Sequence, residues 1–159
     1  MIHLEPITAS NWEDAIELKV RPDQEHFVAS NVYSIAESQF LHEEDGGTIW
    51  KYTALGIYAA DEMIGFTMYC WEQNLGKQCF ISRLMLSAHQ QGKGYGKMAM
   101  DLLLTRIEAE AGPNAIEVLI SYEPHNEVAR KLYASVGFVE TGEMVDGEVI
   151  AKRPLKLAS

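Results

Sequence analysis

The chain has 159 residues, 47% of them hydrophobic and 23% charged, with 12 glycines and 5 prolines: an ordinary globular composition of a size that suits one domain, 1–159. A net charge of −10 argues against nucleic acid as a partner, because neutralising phosphate takes clustered Lys and Arg. No apolar run nears the roughly 20 residues of a membrane-spanning helix, the start lacks signal-peptide features, and two cysteines without zinc spacing offer neither a disulfide scaffold nor a metal site, so a soluble cytoplasmic chain with no membrane partner and reduced thiols is expected.

Residues 2–7 read as a short strand. Ser10 or Asn11 can cap a helix reaching about Lys19, with Trp12, Ala15 and Ile16 on one face. Pro22 interrupts the pattern, and a second helical stretch is expected over 25–43, ending at Gly46-Gly47. A meander of three strands follows, 53–60, 63–71 and 78–86, turning at Asp61-Glu62 and at Asn74-Leu75-Gly76. Tyr95, Met98, Ala99, Leu102, Leu103 and Ile107 then recur at helical spacing, which predicts an amphipathic helix over 94–110, stopped by Gly112-Pro113. Residues 115–121 form a short apolar strand. Asn126 opens a helix carrying Ala129, Leu132, Tyr133 and Val136 up to Gly137, and a hairpin of 138–143 with 149–157 closes the chain around Asp146-Gly147. The order β-α-α-β-β-β-α-β-α-β-β is an α/β (α+β) fold, a mixed sheet with helices packed on it.

Charge is unevenly placed. The first 50 residues hold ten acids against Lys19 and Arg21, a net −8. This is either a solvated face that aids solubility or a field that attracts a cationic substrate.

The chemistry concentrates in Gln91-Gly92-Lys93-Gly94-Tyr95-Gly96-Lys97, between the third meander strand and the strongest helix. Three glycines let main chain approach a ligand, and the first helical turn offers unsatisfied N–H groups at the positive end of a dipole. Lys93 and Lys97 add positive charge, so a pyrophosphate is the natural ligand; a tight strand-to-helix connection is the plainer alternative. The Walker-type loop is excluded, since no Gly-Lys-Ser/Thr follows at the required distance, and the G-x-G-x-x-G dinucleotide spacing is absent.

Gln91-x-x-Gly94-x-Gly96, with Asn126-x-x-Ala129-x-x-Leu132-Tyr133-x-x-x-Gly137-Phe138 downstream, resembles the paired motifs of the GNAT N-acetyltransferases, and element order agrees over nearly the whole chain. Val20-Arg21-Pro22-Asp23-Gln24, Phe27-Val28-Ala29 and Asn31 resemble, more narrowly, bacterial spermine/spermidine N-acetyltransferases of the Blt D type. The resemblance implies a mostly antiparallel central sheet with helices on both faces and a splay between the fourth and fifth strands, those carrying Leu84 and Leu119. It implies acetyl-CoA as co-substrate, with amides of Gly92, Lys93, Gly94, Tyr95, Gly96 and Lys97 on the pyrophosphate, Gln91 in the signature, and Leu84, Met85 and Leu86 along the pantetheine arm. Asn126 and Ala129 would lie along the cofactor, and Tyr133 would protonate the leaving thiolate. Read alone, Tyr133 is a core aromatic and Asn126 a helix N-cap.

Some relatives place a Glu on the strand before the glycine loop, where this chain has Ser82 beside Arg83. Glu72 is the substitute base expected here, His89 a lesser one, although Glu72 also reads as a turn residue. Glu25, Glu37 and Glu62 are candidates for binding the distal ammonium groups of a polyamine, with Trp50, Tyr52, Tyr69 and Trp71 as tunnel aromatics or core. Cys70 and Cys79 are expected to face each other across their hairpin. The implied activity is acetyl transfer to a small cationic amine such as spermine or spermidine. Alternatives are an aminoglycoside, an amino acid or a protein N-terminus as acceptor, or a non-catalytic acyl-CoA-binding module; by analogy a homodimer is expected.

Overall fold

A strand covered on both faces needs apolar residues at nearly every position, and the sequence from Met63 to Trp71 meets that demand. This stretch lies at the centre of the sheet. The structure, a computed structural model, describes residues 1–155. Its strands are β1 (Ile2–Pro6), β2 (Leu41–Glu43), β3 (Ile49–Ala59), β4 (Glu62–Glu72), β5 (Gln78–Leu86), β6 (Glu117–Tyr122), β7 (Val139–Val145) and β8 (Glu148–Pro154). They join in the order β1-β3-β4-β5-β6-β8-β7, with β2 added on β3. Every pairing is antiparallel except β5 with β6, which run parallel. The predicted end of the last strand, Lys156 and Leu157, lies outside the described residues.

The helices are α1 (Trp12–Glu17), α2 (Asn31–Glu37), α3 (Tyr95–Glu110) and α4 (Glu127–Ser135). They cover both faces. On one, α3 buries Ala99, Met100, Leu103, Leu104 and Ile107, chiefly with Tyr69, Ile81, Val118, Ile120 and Tyr133 in the main core. Met98 and Leu102, predicted on the apolar stripe, stay 44% and 38% exposed, because the buried face runs through 99, 100, 103, 104 and 107. On the other face Ala15 of α1 joins Phe66, Met68 and Met85, while Trp12 stays exposed. Asn31 ties this layer together: its side-chain amide donates to the Ala15 carbonyl at 2.8 Å and approaches the Met85 sulfur at 3.7 Å.

The long helix expected over 25–43 is three elements instead. A 3-10 turn spans Pro22–Phe27, α2 starts afresh where the Ser30 hydroxyl accepts from the Tyr33 amide at 3.2 Å, and β2 pairs with β3. Gly46 and Gly47 have φ of 96° and 87°, so they turn the β2–β3 hairpin rather than cap a helix.

Two irregularities meet on β5. Met68 pairs with Arg83 and Tyr69 with Ile81, which leaves Ser82 as an extra, bulged residue. Pairing of β5 with β6 begins at Gln78↔Glu117 and ends at Ile81↔Ile120, so the two strands part at that same bulge. The expected splay between the strands of Leu84 and Leu119 lies there. On the turn side of the bulge the register offsets the thiols: Cys70 sits opposite Phe80 and Cys79 opposite Trp71, rather than facing each other.

Cys70 and Cys79 are free and buried. Burial pushes the Cys70 thiol up to about 12, drives Cys79 in the same direction, and raises the Tyr69 phenol to about 12. The folded chain therefore holds these protons more tightly than the unfolded chain does. Their contribution to stability is complete below about pH 8.5 and is lost as pH rises toward 12, by up to roughly 1.4 kcal/mol per pH unit for each ionising group. Urea midpoints taken between pH 7 and 10.5 should hold steady and then fall; a midpoint independent of pH across that window would contradict this.

Candidate active site

Where β5 and β6 part, a cleft of about 800 Å3 opens between Ile81–Leu86 on one side and Ile120–Tyr122 on the other. Leu84, Met85 and Leu86 pair with Thr67, Phe66 and Gly65 of β4, while their opposite edge has no strand beside it. Backbone donors and acceptors on such an edge can take an extended ligand as if it were another strand.

The start of α3 closes one end of the cleft. Gly94 is its N-cap with φ +83°, a left-handed conformation in which no side chain caps the first turn. A Cβ placed on Gly92 or Gly94 would meet nothing within 4 Å, so the space before these amides is open. α4 behaves differently, because the Asn126 side chain accepts from the Ala129 amide at 3.2 Å and caps its own helix. The uncapped α3 terminus keeps its N–H groups and positive dipole end for an external anion. Gln91 stabilises the loop: its amide donates to the Leu86 carbonyl at 3.1 Å and to Gln24 Oε1 at 2.8 Å, joining the loop to the 3-10 turn.

Tyr133 of α4 faces the cleft, its ring held between Tyr122 at 5.5 Å and Phe138 at 6.1 Å. Burial pushes its phenol well above the usual value, and the charges of Tyr122 and Glu148 add to the shift, so the hydroxyl stays protonated and can donate. Arg83 is fixed by three partners: Nε donates to the Ser34 hydroxyl at 3.0 Å, Nη1 to the Ser82 carbonyl at 2.6 Å, and Nη2 lies 3.5 Å from Glu37. Among the described residues, one carboxylate lines the cleft, Glu148 of β8, which accepts from the Ser121 hydroxyl at 3.0 Å.

The cleft thus gathers Leu84, Met85, Leu86, Gln91, Gly92, Gly94, Gly96, Lys97, Asn126, Ala129 and Tyr133 from the expected set. Other expected residues lie apart from the lining. Tyr95 packs back against the core cluster of Ile2, Ile57, Ile64 and Ala99, and Lys93 is exposed with Nζ 3.2 Å from Gln90. Glu72 is not a base for this cleft: it is buried at the far end of β4, where its carboxylate accepts from the Gln78 amide at 2.6 Å and holds the β4–β5 turn. Glu25 and Glu62 are exposed and do not line the cleft, Glu37 reaches it only through Arg83, and His89 lies outside the lining. Trp50, Tyr52, Tyr69 and Trp71 are not on its walls; the Tyr69 hydroxyl instead donates to Glu110.

Sequence reasoning missed Ser121, Tyr122 and Glu148, and it gave no site role to Gln24, Phe27 and Ala29, which carried only a resemblance and also line the cleft. The Asp146-Gly147 turn was the available signal for Glu148, since it sets which residue begins β8.

The model of the acetyltransferase (GNAT) family matches residues 10–138. Among curated proteins, the "Probable spermine N(1)-acetyltransferase" of Bacillus subtilis subsp. natto (strain BEST195) is 25% identical over 160 residues, covering 97% of this chain and 99% of the relative. The spermine/spermidine N(1)-acetyltransferase of Bacillus subtilis (strain 168) is 24% identical with the same coverage. Among solved structures, spermidine N-acetyltransferase from Vibrio cholerae, in complex with CoA and spermine, shares the fold with a TM-score of 0.72 at 13% identity, covering 97% of this chain and 95% of that one.

The conformation of Gly94 has a direct consequence for substitution. Gly94→Val should destabilise the chain by about 1–2 kcal/mol, because a β-branched residue is strained at positive φ even in open space, whereas Gly94→Asn should cost only a fraction of that. Urea denaturation of the two variants checks the order; equal losses would contradict the left-handed cap.

Proposed function

Because this chain belongs to the GNAT acetyltransferase family, we propose that it transfers the acetyl group of acetyl-CoA to a primary amine of a polyamine such as spermine or spermidine, by direct attack with both substrates bound. The observation that carries the reading is the meeting, in one cleft, of an uncapped helix terminus and an unpaired strand edge. A diphosphate on a long, amide-bearing arm fits that pair of surfaces.

In this reading the amides of residues 92–97 take the diphosphate oxygens, with Lys97 and Arg21 supplying positive charge from the lining. The open edge of Leu84, Met85 and Leu86 binds the pantetheine amides as strand partners, and Asn126 and Ala129 flank the arm. Beyond the last pair with β6, main-chain N–H groups on the open edge of β5 stabilise an oxyanion on the thioester carbonyl. Tyr133 donates to the departing sulfur. Its phenol holds the proton more firmly than a thiol of pKa about 8.5 would, so transfer completes only as the proton of the attacking nitrogen replaces it.

The polyamine acceptor rests on the names of the Bacillus relatives and on the acid-rich first 50 residues. One observation favours a second acceptor class. The lining holds Arg21, Arg83 and Lys97 against the single carboxylate of Glu148, which suits an amine bearing one ammonium, such as an amino acid or a protein N-terminus.

Two measurements test this function. Calorimetry should register acetyl-CoA binding to the purified chain, and thiol release should then follow addition of spermine, spermidine or an α-amine; absence of binding heat would remove the family's chemistry from this cleft. Tyr133→Phe should lower kcat by roughly 10²–10⁴-fold, the usual span for a general acid, with cofactor affinity unchanged. Full turnover in that variant would exclude the proton-donor role.

A further inference from the structure

The family reading leaves one proton without a destination. A primary amine with pKa about 10.4 is nearly all ammonium at neutral pH and must lose a proton before its nitrogen can attack. Ser82 and Arg83, on the strand before the glycine loop, cannot take it, and Glu72 is engaged at the opposite end of β4. The geometry points to Glu148 as the general base of this site, a catalytic residue that receives the ammonium proton from within the cleft.

Four observations support this. In a chain of net charge −10, Glu148 is the one carboxylate lining the cleft among the described residues. It lines the same cleft as the expected proton donor, Tyr133, and its charge adds to the upward shift of that phenol. Its orientation is set: Ser121 on the neighbouring strand β6 donates to Oε1 at 3.0 Å, which leaves Oε2 without a partner among the described residues. The surrounding strands fix its position too, because Val145 pairs with Glu148 on β7 and Tyr122 pairs with Val149 on β6.

The titratable groups around it do not compete for the role. Tyr122 turns its hydroxyl to Glu140 at 2.7 Å, and Glu140 is in turn paired with Arg130 at 3.0 Å. Tyr133 is protonated and serves the sulfur. Arg83 on β5, Lys97 on α3 and Arg21 by the 3-10 turn are cations, and His26, on that turn, also lines the cleft with its ring packed on Phe27 at 4.0 Å.

The step balances as follows. Glu148 takes one proton from the ammonium and later releases it to water. The freed lone pair forms the C–N bond to the thioester carbonyl. Collapse of the adduct breaks the C–S bond; the sulfur takes the Tyr133 proton, and the second nitrogen proton restores the phenol. Closing the cleft around the amine strips water from ammonium and carboxylate alike, which favours the neutral pair over the ion pair.

This role rests on the acetyltransferase reading above, and the experiment separates the two. Glu148→Gln keeps an acceptor for Ser121 and nearly the same shape, so its urea midpoint and its CoA affinity should equal those of the parent chain. Its kcat/KM for spermidine should fall about 10²–10⁴-fold at pH 7. The deficit should then shrink about tenfold per pH unit from 7 to 9, because solvent rather than Glu148 now supplies the neutral amine. A pH-independent deficit, a rise in KM alone, or no deficit would each overturn the base role while leaving the activity intact. A parent chain inert toward every amine would overturn the activity itself, and the role of Glu148 with it.

Discussion

Everything functional in this molecule depends on a ladder of hydrogen bonds that stops early. β5 and β6 are parallel neighbours for four residue pairs and then diverge, and the bulge at Ser82 sits where they do. A bulge bends its strand and sharpens local twist, so one extra residue opens a wedge that a regular sheet would have closed. The wedge is affordable because the core does not run through it. Tyr69, Ile81, Val118 and Ile120 pack beneath the paired end, and α1 and α2 support β5 from the other face through Asn31 and Met85.

The electrostatics of the cleft differ from those of the chain. Ten acids crowd the first 50 residues, yet of those residues the lining takes none of the acids and does take Arg21. Glu37 is drawn into the Arg83 network, where it balances a guanidinium instead of meeting a ligand. Surface charge of this kind acts at a distance and is screened by salt, whereas the group that touches a substrate acts at contact. Net charge and site chemistry are therefore separate quantities here, and a single carboxylate on β8 outweighs the surface acids for any reaction in the cleft.

How much could be read from sequence follows from which interactions are local. The glycine loop, the self-capping Asn126 and the meander are written in neighbouring residues, and the mostly antiparallel sheet and its splay followed once the paired motifs were recognised. The segment 25–43 misled because its helical spacing is real over only seven residues; the Ser30 cap and the pairing of Leu41 with Lys51 then override it. Glu72 misled for a different reason. Strand periodicity says which face a residue occupies but not which end of the sheet holds the cleft, and that end was decided by a register shift ten residues later. Glu148 was invisible because it reaches the site through strand pairing across β6, a contact between residues 27 apart with no local signature.

The side chain of Gln91 carries a last consequence. By bonding both the Leu86 carbonyl and Gln24, it makes the glycine loop and the 3-10 turn one mechanical unit, although 67 residues separate them in the chain. Whatever stiffens the loop also stiffens the wall formed by Gln24, Phe27 and Ala29. Occupancy at the two places is then linked by a coupling free energy that is the same in both directions, so the first molecule to arrive prepays part of the ordering cost of the second. Such reciprocity favours the two places being filled together, whichever is filled first, without any gross rearrangement of the scaffold.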